Sequence, residues 1–298
     1  MVTPGDDRHA ESPFEIDIDG EIDQSLAKMM DDLKLILNDD PDFKKALQAP
    51  SRGITVHINT SGGGDVTTAL HIGRILRDLQ SHIIIGGFIP TPTGMMEATG
   101  ECVSSCVFLL AGGVSRLVIG RVGVHRPYFT ALSPKRSPAE VSQYYEQQRT
   151  MIIKFLNHMN VPLSLLDFMD ETPPESIHYL TAAELAKYHL DGDGPIFNER
   201  IIARMADIRG LTSAQYRQRL VDEDSICGTI NATCNSGTLE QTAQCRDQHF
   251  TCTSAVSWGL SIPEYLKRQK EAQRCGSLGE SASVDAFTAC VKAAMLGK

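Results

Sequence analysis

The sequence predicts an α/β fold with a largely parallel sheet, followed by a small helical, cysteine-rich C-terminal region. Three observations carry this. Short β-like runs alternate with helical patterns through the first two thirds of the chain, and a Gly-rich turn joins one such run to a helix. From about Gly194 those runs stop, and six of the eight cysteines follow. Strand–helix alternation marks parallel sheets, because a parallel neighbour is reached only through a crossover, usually helical.

The elements read in order. Met1 to Pro13 is polar and reads as a disordered tail with no secretory apolar region; a signal or anchor is expected to have been trimmed upstream. Phe14-Glu-Ile-Asp-Ile-Asp-Gly-Glu-Ile22 alternates apolar and acidic residues, the pattern of a half-buried strand. Gln24 to Leu37 carries Leu26, Met29, Met30, Leu33 and Ile36 at helical spacing. Ile54 to Ile58 reads as a strand that runs into Ser61-Gly-Gly-Gly-Asp65, and Val66 to Leu79 as the helix beyond it. Ser81 to Phe88 is expected as one strand, Cys106 to Leu110 as helix, and Leu117 to Ile119 and Gly123 to His125 as short strands. A long helix follows from Pro138 to His158. Leu180 to Leu190 is a helix capped by Thr181, with Glu184 three residues on. The expected division is a tail, 1–13, an α/β domain, 14–197, and a helical disulfide-stapled region, 198–298.

Bulk properties exclude several classes of function. The net charge is -9 and the pI near 5.5, so the basic footprint of a nucleic-acid binder is missing. The sequence has no apolar run long enough for a membrane span. Eight cysteines, clustered late and even in number, favour disulfides and an oxidising compartment such as a periplasm; buried thiols are the alternative. The chain contains no Cys-x-x-Cys pair, so neither a zinc site nor any other metal or cofactor is expected.

Chemistry concentrates between Ser61 and His125. Three glycines between a strand and a helix leave main-chain N–H groups uncovered at a positive helix end, which suits an oxyanion. The turn lacks the Gly-Lys-Ser/Thr ending of a phosphate loop and the spacing of a dinucleotide fingerprint. Next comes Gly100-Glu-Cys-Val-Ser-Ser-Cys106, where a serine begins an apolar helix and the following N–H can face a developing oxyanion. Third is Val122-Gly-Val-His-Arg-Pro127, which puts a histidine at the end of an apolar strand, where a general base can work. Taken singly, these read as a tight turn, a helix cap and a structural histidine; their order makes a site.

That order resembles the Clp-type serine proteases and the signal peptide peptidase A clan, which share the ClpP/crotonase-like fold. Ser61-Gly-Gly-Gly-Asp-Val66 looks like the clan's Ser-Pro-Gly-Gly-x-Val oxyanion motif. Ser104-Ser-Cys-Val-Phe-Leu-Leu-Ala-Gly-Gly113 is similar to its nucleophile segment, and Val124-His-Arg-Pro127 to its histidine segment. Tyr179-Leu-Thr-Ala-Ala-Glu-Leu185 resembles a fourth segment, and the whole looks closest to an uncharacterised periplasmic branch. The resemblance spans about residues 14–197. It implies Ser104 as nucleophile, His125 as base, and Gly63 or Gly64 with the Ser105 N–H as oxyanion hole. It also implies a peptide or protein substrate and a homo-oligomeric assembly through Pro138 to His158. Ser104 rather than Ser105 keeps Phe108-Leu-Leu110 in the family's register.

The family's aspartate position is Ile177 here. Asp167, Asp170, Glu171 and Glu175 are the nearby carboxylates that could stand in. Lys135 and Lys154 would serve a Ser–Lys pair, ranked below Ser–His. Cys102 and Cys106 flank Ser104 and either bridge across the turn or pack as small core residues. The disulfide candidates in the C-terminal region are Cys227, Cys234, Cys245, Cys252, Cys275 and Cys290. The leading expectation is a serine peptidase-like hydrolase. A catalytically impaired periplasmic relative, acting as a binding or assembly module, is the alternative.

Overall fold

The computed structural model describes residues 14–41, 43–44, 54–60, 62–90, 96–127, 137–234, 238–278 and 284–297. The tail 1–13, Ser61 and Lys135 lie outside the described residues. The chain divides into two compact units, Met1–Asn198 and Glu199–Lys298.

In the first unit the acidic alternation folds as β1, Glu15–Asp19, with Ile18 buried and Glu15, Asp17 and Asp19 outward. It is the edge of a five-stranded sheet in the order β1-β2-β3-β7-β10. Its neighbours are β2, Thr55–Asn59, then β3, His82–Ile85, and β7, Ser115–Val118, all parallel. The far edge, β10, Gly192–Asp193, is antiparallel. A second sheet holds β6, Glu101–Val103, parallel to β8, Arg121–Val124, with β9, His178–Tyr179, antiparallel beside it. A bridge from Thr60 to Cys102 ties this sheet to the end of β2.

The strand expected from Ser81 to Phe88 ends instead at Ile85. Gly86, at φ 72°, turns the chain out into a ribbon of β4, Gly87–Pro90, and β5, Met96–Thr99. Phe88, the last residue of the expected strand, is exposed on that ribbon, as is Ile89.

Two helices cover the sheet near the Gly-rich turn. α1, Gln24–Asp39, is capped by Asp23, which accepts from Leu26 N. α2, Val66–Asp78, is capped by Asp65, which accepts from both the N–H and the hydroxyl of Thr68. Ala69, Leu70, Ile72, Ile75 and Leu76 make the buried face of α2. α3, Cys106–Gly112, is buried along its whole length. It crosses α2 so closely that a Cβ on Gly112 would lie 2.3 Å from Gly73 O. The free carbonyls at its C-terminus need donors. Arg77 and Arg116, both buried, provide them, donating to Ala111 O at 3.0 and 2.7 Å, and Arg116 also to Leu110 O at 3.0 Å. Burial and the Arg77 charge push Arg116 down to about 9, still cationic at neutral pH. Beyond the site lie α4, Pro138–His158, α5, Ser164–Glu171, and α6, Ala182–Lys187, the first and last closed by capping boxes at Ser137 and Thr181.

The second unit is helical. α7, Pro195–Ile208, carries the boundary between the units. α8, Ser213–Thr233, and α9, Leu239–Trp258, are joined by the bridges Cys227–Cys252 and Cys234–Cys245. The two bridges are nested, as an antiparallel helix pair requires. Gly259 closes α9 in the left-handed conformation, and Arg209 lies between Tyr216 and Trp258, 5.0 Å from each ring. α10, Ile262–Ala272, leads to a 3-10 turn that Cys275–Cys290 ties to α11, Val284–Leu296. With Cys102–Cys106, these bridges leave no free cysteine among the described residues.

Candidate active site

The Gly-rich turn is pinned by one residue of the preceding segment. Ile22 N donates to Gly63 O at 2.8 Å, and Asp65 N donates back to Ile22 O at 3.0 Å. A trans peptide carries its N–H opposite its C=O, so the Gly64 N–H points away from Ile22. Both glycines are required by space as well as by their positive φ. A Cβ on Gly64 would lie 2.2 Å from Ile22 O. A Cβ on Gly63 would lie 2.7 Å from Ser104 Cβ and 3.0 Å from Ser104 Oγ. The Ser104 side chain therefore rests against the bare face of Gly63.

Ser104 sits at the corner between β6 and α3 with φ 61°. The left-handed region costs a non-glycine residue about 1–2 kcal/mol, so the surroundings must hold it there. Main-chain bonds grip the corner on both sides: Val103 N to Thr60 O at 3.0 Å, Ser104 N to Gly123 O at 2.9 Å, and Val107 N to Ser104 O at 3.2 Å. The corner is also bracketed by the Cys102–Cys106 disulfide, both of whose residues are fully buried. The two serines differ in employment. Ser105 is 2% exposed and donates its hydroxyl to Gly64 O at 3.0 Å, whereas Ser104 is partly exposed.

His125 is buried one residue beyond β8. Val103 pairs with Gly123, so Ser104 and His125 emerge from the same ends of two neighbouring parallel strands, which lie about 4.8 Å apart. His125 Nδ1 lies 2.9 Å from Arg126 O. A carbonyl only accepts, so Nδ1 is the donor in this contact, and the lone pair of an imidazole held this way is on Nε2. This is the tautomer a general base needs, and a main-chain carbonyl holds it.

The antiparallel register of β8 and β9 pairs Gly123 with Tyr179 and Val124 with His178. The pairing ends there: His125 follows β8, Ile177 precedes β9, and Arg126 N donates instead to Thr172 O at 2.8 Å. The Ile177 side chain covers Gly123, where an added Cβ would lie 2.6 Å from Ile177 Cγ2. Of the other carboxylates, Asp167 and Asp170 on α5 bond to Arg149 at 3.2 and 3.3 Å, and Glu171 and Glu175 are exposed. Lys154 is exposed on α4.

Beside Arg126 and Pro127 lies a small open cleft, floored by Ile152 and Leu166 and edged by Tyr145, Glu146, Arg149 and Asp170. Asp191 and Asp193 accept from Val118 N and from the Ser115 hydroxyl along the sheet edge. Among the described residues, no group of three or more His, Cys, Asp or Glu could hold a metal ion, and no helix is long and apolar enough to cross a membrane.

Two functional contacts had no signature in the sequence, the Arg126 carbonyl on His125 and the Ile22 backbone under the Gly-rich turn. Main-chain partners leave no residue type to find.

No family profile matches the sequence, and no curated protein matches it. Among solved structures, a serine-to-alanine variant of the membrane-bound stomatin-specific protease 1510-N is 15% identical, covering 60% of this chain and 76% of its own, with a TM-score of 0.39. ClpP1 from Listeria monocytogenes is 17% identical over 62% of this chain and 89% of its own, with a TM-score of 0.38. An asparagine-to-aspartate variant of that ClpP1 has 17% identity, coverages of 59% and 88%, and a TM-score of 0.40. What the site can do follows from its own geometry.

Proposed function

We propose that the protein is a serine peptidase-like hydrolase of the Clp and signal-peptide-peptidase type, acting on peptide or protein substrates. In this reading Ser104 Oγ attacks the scissile carbonyl while His125 Nε2 takes its proton. The N–H groups of Gly64 and Ser105, beside the bare Gly63, stabilise the oxyanion. The protonated imidazole then returns the proton to the leaving amine, and water releases the acyl group. No cofactor is needed. The observation that carries the reading is Ser104 at φ 61° on a strand-to-helix corner, its side chain against Gly63. A strained turn of this kind lifts a nucleophile clear of its sheet.

Ile177, at the position of the family's aspartate, points to a slow enzyme. The Arg126 carbonyl holds the imidazole in the right tautomer, but it brings no full charge to stabilise the imidazolium. Loss of a triad acid costs serine proteases about 10⁴-fold in kcat. Ile177 at the position of the family's aspartate is what favours the second reading, an impaired relative kept as a binding or assembly module. Four disulfides support an oxidising, exported location, and a periplasm is our proposal within that class. A homo-oligomeric state and the division at about residue 197 belong to the same proposal.

The test is fluorophosphonate labelling of the oxidised protein, alongside hydrolysis of an unfolded protein substrate. Both are expected in the native chain and should vanish in Ser104→Ala. Hydrolysis that survives Ser104→Ala would sink the reading.

A further inference from the structure

Of the four disulfides, Cys102–Cys106 closes the smallest ring, with a separation of 4 residues against 11, 15 and 25. The constraint a bridge puts on the unfolded chain grows with ring size, so this one does least for stability. It also lies in the unit with the larger apolar core. Its place points to another role. The ring contains Val103, Ser104 and Ser105, and it joins the middle residue of β6 to the first residue of α3.

Four residues of extended chain reach about 13 Å. The bridge holds the two Cα atoms at 5.3 Å and so forbids β6 from running straight on through Ser104. Ser104 is the residue that absorbs the reversal, at φ 61°. Its Cβ occupies the space that Gly63 leaves empty. Any return of Ser104 to right-handed or extended backbone would swing the hydroxyl off Gly63. The hydrogen bonds on either side can re-form with other partners; the covalent link cannot.

We propose that Cys102 and Cys106 are positioning residues whose disulfide holds Ser104 in its attack-ready conformation, and that reducing this one bridge disarms the site. The proposal rests on the hydrolase reading for its consequence, though not for its mechanics. Both residues are buried, so a dithiol reductant reaches a sulfur when the corner opens, passes through a mixed disulfide and closes into a cyclic disulfide. The reductant gives up two electrons and two protons, the protein gains two thiols, and Ser104 is free to relax. The site would then work only in an oxidising compartment.

The experiment uses the full chain treated with dithiothreitol. Reduction of each bridge is followed by alkylation and peptide mass mapping. In parallel, labelling by a fluorophosphonate and hydrogen exchange of the 103–107 amides are recorded. Labelling should fall at least tenfold in step with reduction of Cys102–Cys106, and exchange of that segment should rise at least tenfold. The Cys102→Ala/Cys106→Ala protein should show the same loss as a fall in kcat with KM held. The Cys275→Ala/Cys290→Ala protein should label like the native chain. If the first variant fails to fold by circular dichroism, the reduction course on the native chain decides. Labelling and exchange unchanged after the bridge is reduced would overturn the proposal. An oxidised protein that is never labelled would instead count against the hydrolase reading, and the exchange arm would still decide whether the clamp exists.

Discussion

The two units use the same bond for different ends. In the first, helices and sheet bury a continuous apolar core that includes Met30, Ile72, Leu76, Phe108, Phe155 and Leu190, and the single disulfide sits beside Ser104. In the second, the buried apolar cluster is Ala255, Tyr265 and Met295, and three disulfides tie the helices together. Leu220, Val221, Ile226 and Phe250 are left exposed on α8 and α9. A helical module with so little apolar surface to bury needs covalent staples, as small exported domains generally do. A core large enough to fold without them leaves a disulfide free for a local task. Placement relative to the core, rather than the count of cysteines, separates a staple from a clamp.

The sharpest way to press on the first unit is to change Ile177. Ile177→Asp puts a carboxylate at the family's aspartate position, one residue before β9, which pairs with the strand that His125 follows. Turnover should rise more than tenfold, within a ceiling of about 10⁴-fold set by the worth of a triad acid. An unchanged rate in a folded variant would show that the acid cannot reach the ring from this strand.

Stability should divide the other way. Cys227→Ala/Cys252→Ala opens a ring with a separation of 25 residues, and the expected loss is about 2–5 kcal/mol, read as a lower urea midpoint. Hydrogen exchange should assign the loss to residues after Glu199, with the 103–107 amides unaffected. Equal loosening of both regions would erase the contrast between staple and clamp.

The smallest expected effect belongs to the cap of α6. Thr181 N–H and hydroxyl, with His178, hold Glu184 down to about 2. A carboxylate held low contributes stability above its ordinary range and loses it as pH falls toward 2. Thr181→Ala should cost about 1 kcal/mol in chemical denaturation at neutral pH. The difference from the native chain should shrink below pH 4 as Glu184 is protonated in both; a constant difference would assign the effect to something other than the carboxylate.

Much of this architecture can be read in the sequence where side chains announce geometry. Asp65 and Thr181 are caps recognisable from residue type, and the acidic alternation of 15–19 fixes which face of β1 is buried. Legibility fails where the main chain decides. Phe88 looks like the continuation of a buried strand, yet Gly86 turns it into an exposed ribbon. Cysteine spacing suggests bridges without saying which pair, and only packing makes Cys227–Cys252 and Cys234–Cys245 nest. The candidate site divides likewise. Its side chains, Ser104 and His125, can be named from motif and register. The groups that hold them, Arg126 O and Ile22, act through backbone atoms that every residue carries.

The claim on which the account turns is that Ser104, and not the adjacent Ser105, carries the reactive hydroxyl. Ser105 spends its proton on Gly64 O, while Ser104 stands at the strained corner. Peptide mass mapping of the fluorophosphonate-treated oxidised protein reads this directly. The predicted result is a single adduct on Ser104, lost on heat denaturation before treatment; an adduct on Ser105, or none while a control hydrolase is fully labelled, would contradict it.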